Sequence, residues 1–79
     1  MKIPAIKKLV ESYAVEELKT AEEAIYNEHK PQIEIEGDDE GEKLTHILAA
    51  IEILEQMKQG KDFKTALRDY TQRVRKSIS

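Results

Sequence analysis

Apolar residues recur at intervals of three and four along most of this chain, a spacing that is typical of amphipathic helices. Polar and charged residues fill the positions between them, as they do on the solvent side of a helix. The pattern predicts four helices, which begin near Ile3, Val15, Glu42 and Asp62. Only a weakly marked break, from Ser12 to Ala14, separates the first two, so the pattern also allows one bent helix there.

The third predicted helix has the widest apolar face of the four. We expect such a helix to be central and to pack against more than one neighbour. Asp39 and Glu42 have the spacing of a capping box at its start, and Gly60 suits the left-handed residue after its end. Its apolar positions form one stripe of Leu44, Ile47, Leu48, Ile51 and Leu54, and a second of Ala50, Ile53 and Met57.

The segment from Gln32 to Glu36 departs from the helical period, because Ile33 and Ile35 alternate with glutamates. This period of two predicts an extended chain. A lone strand cannot satisfy its own backbone hydrogen bonds, so the segment either crosses the helices with both isoleucines as apolar pegs or pairs with its copy in a second subunit. We favour the first interpretation.

These patterns together predict an all-α fold. We expect a compact four-helix array or bundle with one extended acidic connection between helices 2 and 3. The chain has 79 residues, and so short a chain supports only one core. The prediction is therefore a single helical domain over residues 1–79.

Composition restricts the class of protein. Hydrophobic residues make up 39% of the chain and charged residues 37%, which is too much apolar material for a disordered chain. The absence of cysteine excludes thiol chemistry and a cysteine-based zinc site. Lysines interrupt the N-terminal segment, and the longest apolar run, Ile47 to Ile51, is too short to span a membrane. We therefore expect a cytoplasmic protein with no membrane association.

Charge is divided along the chain. The first ten residues carry three lysines and no acid, and residues 11–42 carry twelve acidic residues against two lysines. Residues 61–79 carry six basic residues against two acidic ones. Such asymmetry indicates either charged partners or neutralisation of one part of the fold by another.

The acidic stretch does not meet the requirements of a calcium loop. An EF-hand-like register that starts at Glu36 places Ile47 at the twelfth position, where a bidentate glutamate is needed. We interpret the stretch as a solvated turn that caps the third helix. Glu42 and His46 are one helical turn apart, but two ligands do not make a metal site, and we place His46 at the edge of the core.

No catalytic, cofactor-binding or metal residue is assigned, because no nucleophile lies in a reactive turn and the three glycines form no phosphate cradle. We expect no cofactor and no enzymatic activity. The clustering of acidic residues beside alternating isoleucines instead favours a small protein-interaction module or accessory subunit. Its partner is another protein or a second copy of the chain. The predicted contact patch consists of Ile33, Glu34, Ile35, Glu36, Asp38, Asp39, Glu40 and Tyr26.

Two other functions stay open. The basic last helix offers Lys64, Arg68, Arg75 and Lys76 as contacts for a nucleic-acid backbone. Cations are favoured near a helix C-terminus in any case, and no aromatic residue interleaves with them, so we rank this function second. The other alternative is a homo-oligomeric structural protein with no further partner.

Four stretches, "KIPAIKKLVESY", "EELKTAEEAI", "IEIEGDDEGEKLTHILAAIEIL" and "DFKTALRDYTQRVRKSI", resemble a family of short bacterial helical proteins of unknown function. The resemblance covers almost the whole chain, and the acidic loop that leads into "LTH" is its most distinctive part. The resemblance implies a gene neighbourhood that often includes thiol peroxidases and thioredoxin-like proteins. The resemblance therefore implies a helper of thiol redox enzymes, and it assigns no functional residues.

Overall fold

A computed structural model describes residues 2–78, and the side chains of residues 2–74. It contains the helices α1 (Ile3–Ser12), α2 (Val15–Tyr26), α3 (Glu40–Lys58) and α4 (Phe63–Ile78), and no strand occurs among the described residues. The predicted all-α fold of four helices is confirmed. Tyr13 and Ala14 are both extended, so α1 and α2 are separate helices and not one bent helix.

Helix α3 is central, as its wide apolar face predicts. Helices α1, α2 and α4 each pack against α3, and no other pair of helices is in contact in the described part of the chain. Full burial of an aliphatic side chain contributes about 1.5–3 kcal/mol, so the core contacts hold the outer helices on α3. The largest fully buried aliphatic side chains are Ile6 of α1, Leu18 of α2, and Ile47 and Ile53 of α3, and Ala66 of α4 is fully buried as well.

The start of α3 forms the N-cap half of the capping box that the sequence predicts, and the reciprocal bond is displaced by one residue. The Asp39 side chain accepts a hydrogen bond from the backbone N–H of Glu42 at 2.7 Å. The Glu42 carboxylate in turn accepts from the N–H of Asp38 at 3.2 Å, one residue before the cap. These bonds satisfy donors that a helix start leaves without partners, and so they fix where the acidic connection enters α3.

Two helices end on a residue in the left-handed region. Gly60 follows α3 with a φ of +101°, and the N–H of Lys61 donates back to the carbonyl of Gln56 at 3.2 Å. The role predicted for Gly60 is confirmed. After α2, Glu28 has a φ of +60°, although a side chain at that position costs free energy that glycine avoids.

The connection between α2 and α3 packs against the helices of the same molecule. Its residues between the helix ends have no regular secondary structure. Ile35 is buried in the core with 7% exposure, and Ile33 is half-buried against it. The two isoleucines therefore act as the expected pegs, with Ile35 the deeper of the two.

Two placements on α3 differ from the sequence prediction. Leu48, which we assigned to the core stripe, is 41% exposed, because it lies on a side of α3 that its neighbouring helices leave uncovered. His46, which we placed at the edge of the core, is fully buried. A wide apolar face does not show which part of it the neighbours will cover.

Candidate functional site

Part of the predicted contact patch is engaged within the molecule. The Lys8 Nζ atom lies 3.9 Å from Glu36 Oε1, and Lys2 Nζ lies 4.0 Å from Asp38 Oδ1. Asp39 is the cap of α3. The basic N-terminus therefore lies against the acidic connection and offsets part of its charge. Exposed ion pairs of this length contribute at most about 1 kcal/mol each, so they orient the connection more than they stabilise it.

The rest of the patch divides into exposed and buried members. The side chains of Glu34, Glu40 and Tyr26 are exposed and make no hydrogen bond or ion pair to another described residue, and Tyr26 is 64% exposed. Ile35 does not suit its predicted place in the contact patch, because it is a core residue with almost no free surface. Ile33 offers part of its side chain. The contact role of the exposed members stays a prediction.

His46 organises the side of α3 that faces the N-terminus, and the sequence analysis missed this. Its Nε2 atom accepts a hydrogen bond from the backbone N–H of Lys2 at 2.9 Å. Its Nδ1 atom lies 2.8 Å from the carbonyl oxygen of Glu36, and a carbonyl only accepts, so Nδ1 carries the proton and donates it. One buried ring thus holds the start of α1 and the acidic connection, and neither nitrogen is left to bind a metal.

The basic face of α4 is only partly described. Lys64 and Arg68 are exposed, lie one helical turn apart and form no ion pair with another described residue. The side chains of Arg75 and Lys76, the other two predicted nucleic-acid contacts, lie outside the described residues. The two described residues of this set therefore share one exposed face of the helix.

An open groove of about 930 Å³ lies between the uncovered side of α3 and helix α4. Its apolar lining consists of Leu48 and Ile51 from α3 and Tyr70 from α4. We refer to these three residues as the groove floor. The polar residues around them include Glu52, Glu55, Gln56, Lys61, Asp69 and Arg73.

Ion pairs cross or border the groove. Arg73 of α4 pairs with Glu52 of α3 and so ties the two helices together. Lys61 pairs with Asp69, with Nζ 3.0 Å from Oδ2. Burial raises the pKa of Tyr70, and the nearby Glu52 carboxylate raises it further, while Arg73 opposes them. Tyr70 therefore keeps its proton at neutral pH, and the groove floor carries no charge.

Sequence analysis did not find this groove. The only available signal was the excess width of the apolar face of α3, which indicates that a strip could stay uncovered but does not locate it. Among the described residues, no group of three or more His, Asp or Glu side chains is placed to hold a metal ion. None of the described helices combines the length and apolar character that crossing a membrane requires.

The chain belongs to DUF6952, a family of unknown function, whose family model matches residues 1–79. Searches of curated proteins and of solved structures gave no significant match. The resemblance to a family of unknown function that the sequence indicates is therefore confirmed over the whole chain, and the candidate site has to be interpreted from its own geometry.

Proposed function

We propose that this member of DUF6952 is a small non-catalytic protein-interaction module or accessory subunit, and that the groove between α3 and α4 is its contact surface. The observation that carries the proposal is the make-up of the groove, in which an uncharged floor of Leu48, Ile51 and Tyr70 lies among charged side chains. Protein interfaces have this anatomy, with an apolar or aromatic centre and a polar rim.

The shape of the groove favours a protein partner over a small molecule. Small-molecule sites are concave and bury most of the ligand surface. This groove is open along α3, and Leu48 is 41% exposed in it. A helix or loop of another protein can cover such a surface, with an apolar side chain placed against Leu48 and Tyr70.

The groove supports the proposal better than the acidic connection does. Glu36, Asp38 and Asp39 already have partners inside the molecule, and their clustering is explained by the capping of α3 and by the lysines of α1. We keep the exposed Glu34, Glu40 and Tyr26 as a second contact, with two acidic residues and one aromatic residue. Thiol redox enzymes are the partner class that the family resemblance implies, and we keep them as the first candidates to assay.

The test is a pull-down from a lysate of the source organism, with nuclease added and with two matched variants of the full chain. Leu48→Gln removes the exposed aliphatic residue of the groove floor. Ile3→Gln is the control, because Ile3 is an aliphatic residue with similar exposure, 47%, outside the groove. We expect a stoichiometric protein partner that is retained by the wild type and by Ile3→Gln and is lost by Leu48→Gln.

Two results would contradict the proposal. A partner that all three chains retain equally does not use the groove, and an empty wild-type lane removes every partner other than a second copy of the chain. Light scattering on the purified chain separates the remaining case: a mass that is a fixed multiple of the chain, and that returns to one copy in Leu48→Gln, identifies the partner as a second copy.

Nucleic-acid binding is the second candidate, and the exposed Lys64 and Arg68 without ion pairs favour it. Binding through the phosphate backbone weakens steeply as salt is raised. This function predicts that Lys64→Glu with Arg68→Glu abolishes a gel shift at low salt, while Leu48→Gln leaves the shift unchanged. A partner that survives nuclease and physiological salt argues against it.

A further inference from the structure

We propose that helix α2 of a second copy of this chain occupies the α3–α4 groove. The proposal rests on the proposed function, since it names the partner of that groove. It is carried by a match between two exposed faces of the chain. Along α2 and along α3, apolar and charged residues have the same spacing and complementary character.

The α3 side of the groove presents an apolar residue and an acidic residue on one line. Leu48 and Glu55 both line the groove, and they are seven residues apart, which is about two helical turns. They therefore lie on the same face of α3, about 10 Å apart along its axis. A helix that runs along α3 meets both of them with side chains that are also two turns apart.

Glu55 is the charge of the groove that has no partner within the molecule. The other four charged residues of the lining form two ion pairs with each other. Glu55 is exposed and forms no ion pair or hydrogen bond with another described residue. The groove therefore leaves one negative charge for a cation from outside.

The outer face of α2 presents the complementary pair. Tyr26 is 64% exposed, and the exposed Lys19 precedes it by seven residues, so the two lie on one line of that helix. Lys19 forms no ion pair with another described residue. An exposed tyrosine offers a large apolar ring with a polar end, which is the character of an interface anchor. An anchor and a cation thus have the spacing of the leucine and the acid.

One register brings both pairs together. Tyr26 of the second copy packs on Leu48, and Lys19 of the second copy reaches Glu55. Helix α2 then runs antiparallel to α3, because the cation precedes the anchor on α2 and the acid follows the leucine on α3. The parallel direction would place the lysine on Leu48 and the tyrosine on Glu55, so the charges also fix the direction of the helix.

The same register pairs a second set of charges. Glu16 precedes Lys19 by three residues, and Lys58 follows Glu55 by three, so Glu16 and Lys58 come opposite each other at the end of the groove. Both are exposed, and neither forms an ion pair with another described residue. One apolar contact and two charge pairs therefore coincide in a single alignment of the two helices.

The remaining acid of this α2 face also meets a cation. Glu23 lies between the lysine and the tyrosine, and in this register it comes opposite Ile51, in the middle of the groove. Arg73 borders the groove at that level, where it pairs with Glu52. A guanidinium carries five N–H donors, so it can bind a second carboxylate beside the first.

Helix α1 does not offer the same pattern. Ile3 is the other exposed large hydrophobic residue in the described part of the chain. Val10, seven positions after it, is a buried core residue, so no cation lies two turns from this anchor. The groove therefore favours the outer face of α2 over that of α1.

The experiment measures self-association of the purified full chain by light scattering at increasing protein concentration. The contact joins two different surfaces, so the mass of the wild type should rise progressively above one copy. Glu55→Lys and Lys19→Glu each replace the central ion pair with two like charges. Each variant should need about tenfold more protein to reach the same mass. Because the two reversals are complementary, an equimolar mixture of the variants should recover the association of the wild type.

Glu11→Lys and Lys7→Glu are the matched controls. They reverse exposed charges of α1 that form no ion pair with another described residue, and they change the net charge by the same amounts. Both should associate as the wild type does. Leu48→Gln removes the apolar contact and should weaken association, whereas Ile3→Gln should not.

Three results would overturn the proposal: a wild type that stays a single copy at every concentration, controls that weaken association as much as the two reversals do, or a mixture that associates as poorly as either variant alone. The pull-down separates this failure from that of the groove. A single-copy chain whose lysate partner is lost by Leu48→Gln keeps the proposed function and removes only the second copy. Self-association and lysate binding that both ignore Leu48→Gln remove the groove as well.

Discussion

His46 and Leu48 are two residues apart on α3, and their environments are the reverse of what their side chains suggest. The titratable histidine is fully buried, and the aliphatic leucine is 41% exposed. On the first side, α1 and the connection meet α3, and both ring nitrogens find backbone partners. On the second side, α4 leaves a groove open. One side of α3 therefore organises the fold, and the other is available for contact.

The contrast between the buried His46 and the exposed Leu48 shows that the surroundings of a residue indicate its role better than its type does. A buried polar group is retained at a cost unless it is hydrogen-bonded, so the complete bonding of His46 marks it as a structural organiser. An isolated exposed leucine is common on protein surfaces and needs no explanation by itself. Leu48 becomes informative because it shares the groove floor with Ile51 and Tyr70.

The largest expected effect comes from breaking the organised side. His46→Leu retains bulk but leaves the Lys2 N–H and the Glu36 carbonyl without their partner. Each buried polar group that loses its partner costs about 1–3 kcal/mol, and this substitution leaves two such groups. Because both groups lie near the surface, where water offsets part of the cost, we expect a loss of about 2–4 kcal/mol in the free energy of unfolding. Urea denaturation measures it.

The matched control for that change is His29→Leu. His29 is exposed after the end of α2, so its replacement should alter the free energy of unfolding by no more than about 0.5 kcal/mol. Equal effects of the two substitutions would show that burial of the His46 ring contributes nothing.

A smaller effect is expected where the connection approaches α3. A Cβ atom on Gly37 would lie 2.7 Å from Lys43 Cγ and 3.0 Å from the Lys43 backbone nitrogen. Gly37→Ala must therefore push the connection away from α3, at a cost of about 1–2 kcal/mol. Thermal unfolding checks this, with Gly41→Ala as the control, since a Cβ there meets only the Asp39 side chain at 3.3 Å. Equal losses in the two variants would contradict the close approach.

The exposed side should tolerate change. Leu48→Gln should alter the free energy of unfolding by no more than about 0.5 kcal/mol, because Leu48 lies at the surface with 41% exposure. The prediction is checked by urea denaturation beside His46→Leu. A loss as large as that of His46→Leu would mean that Leu48 belongs to the core and that the groove is closed in solution.

The smallest effect concerns the start of α4, the helix that borders the groove. The N–H of Thr65 donates to Asp62 at 2.7 Å, and this bond lowers the pKa of the Asp62 carboxyl below its ordinary value of 3.8. A carboxyl with a lowered pKa stabilises the folded state above the ordinary value and loses that contribution as the pH falls through the folded pKa. The wild type should therefore exceed Asp62→Asn in Tm at pH 7.

That difference in Tm should shrink progressively as the pH is lowered below 3.8, the ordinary value for this carboxyl. Asparagine is also a good cap, so the comparison isolates the charge of the carboxylate from its hydrogen bond. A difference that stays constant from pH 7 to pH 3 would show that the charge of Asp62 does not contribute.

The sequence by itself determined the helical segments and the start and end of α3. The period of three and four, the cap at Asp39 and the glycine at Gly60 are local signals, because a helix satisfies its hydrogen bonds within a few residues. The central place of α3 also follows from the width of its apolar face. The positive φ of Glu28 had no such signal, since glutamate is not a residue type that favours the left-handed region.

Only the tertiary structure decided which side of α3 is covered and what His46 does. The bond from Lys2 to His46 joins residues 44 positions apart, and no local pattern encodes such a pairing. The exposure of Leu48 depends on the position at which α4 packs against α3. The packing of whole helices sets that position. Local periodicity therefore predicts which residues face inward together, and the number and position of the neighbouring helices decide which of them meet a neighbour and which meet water.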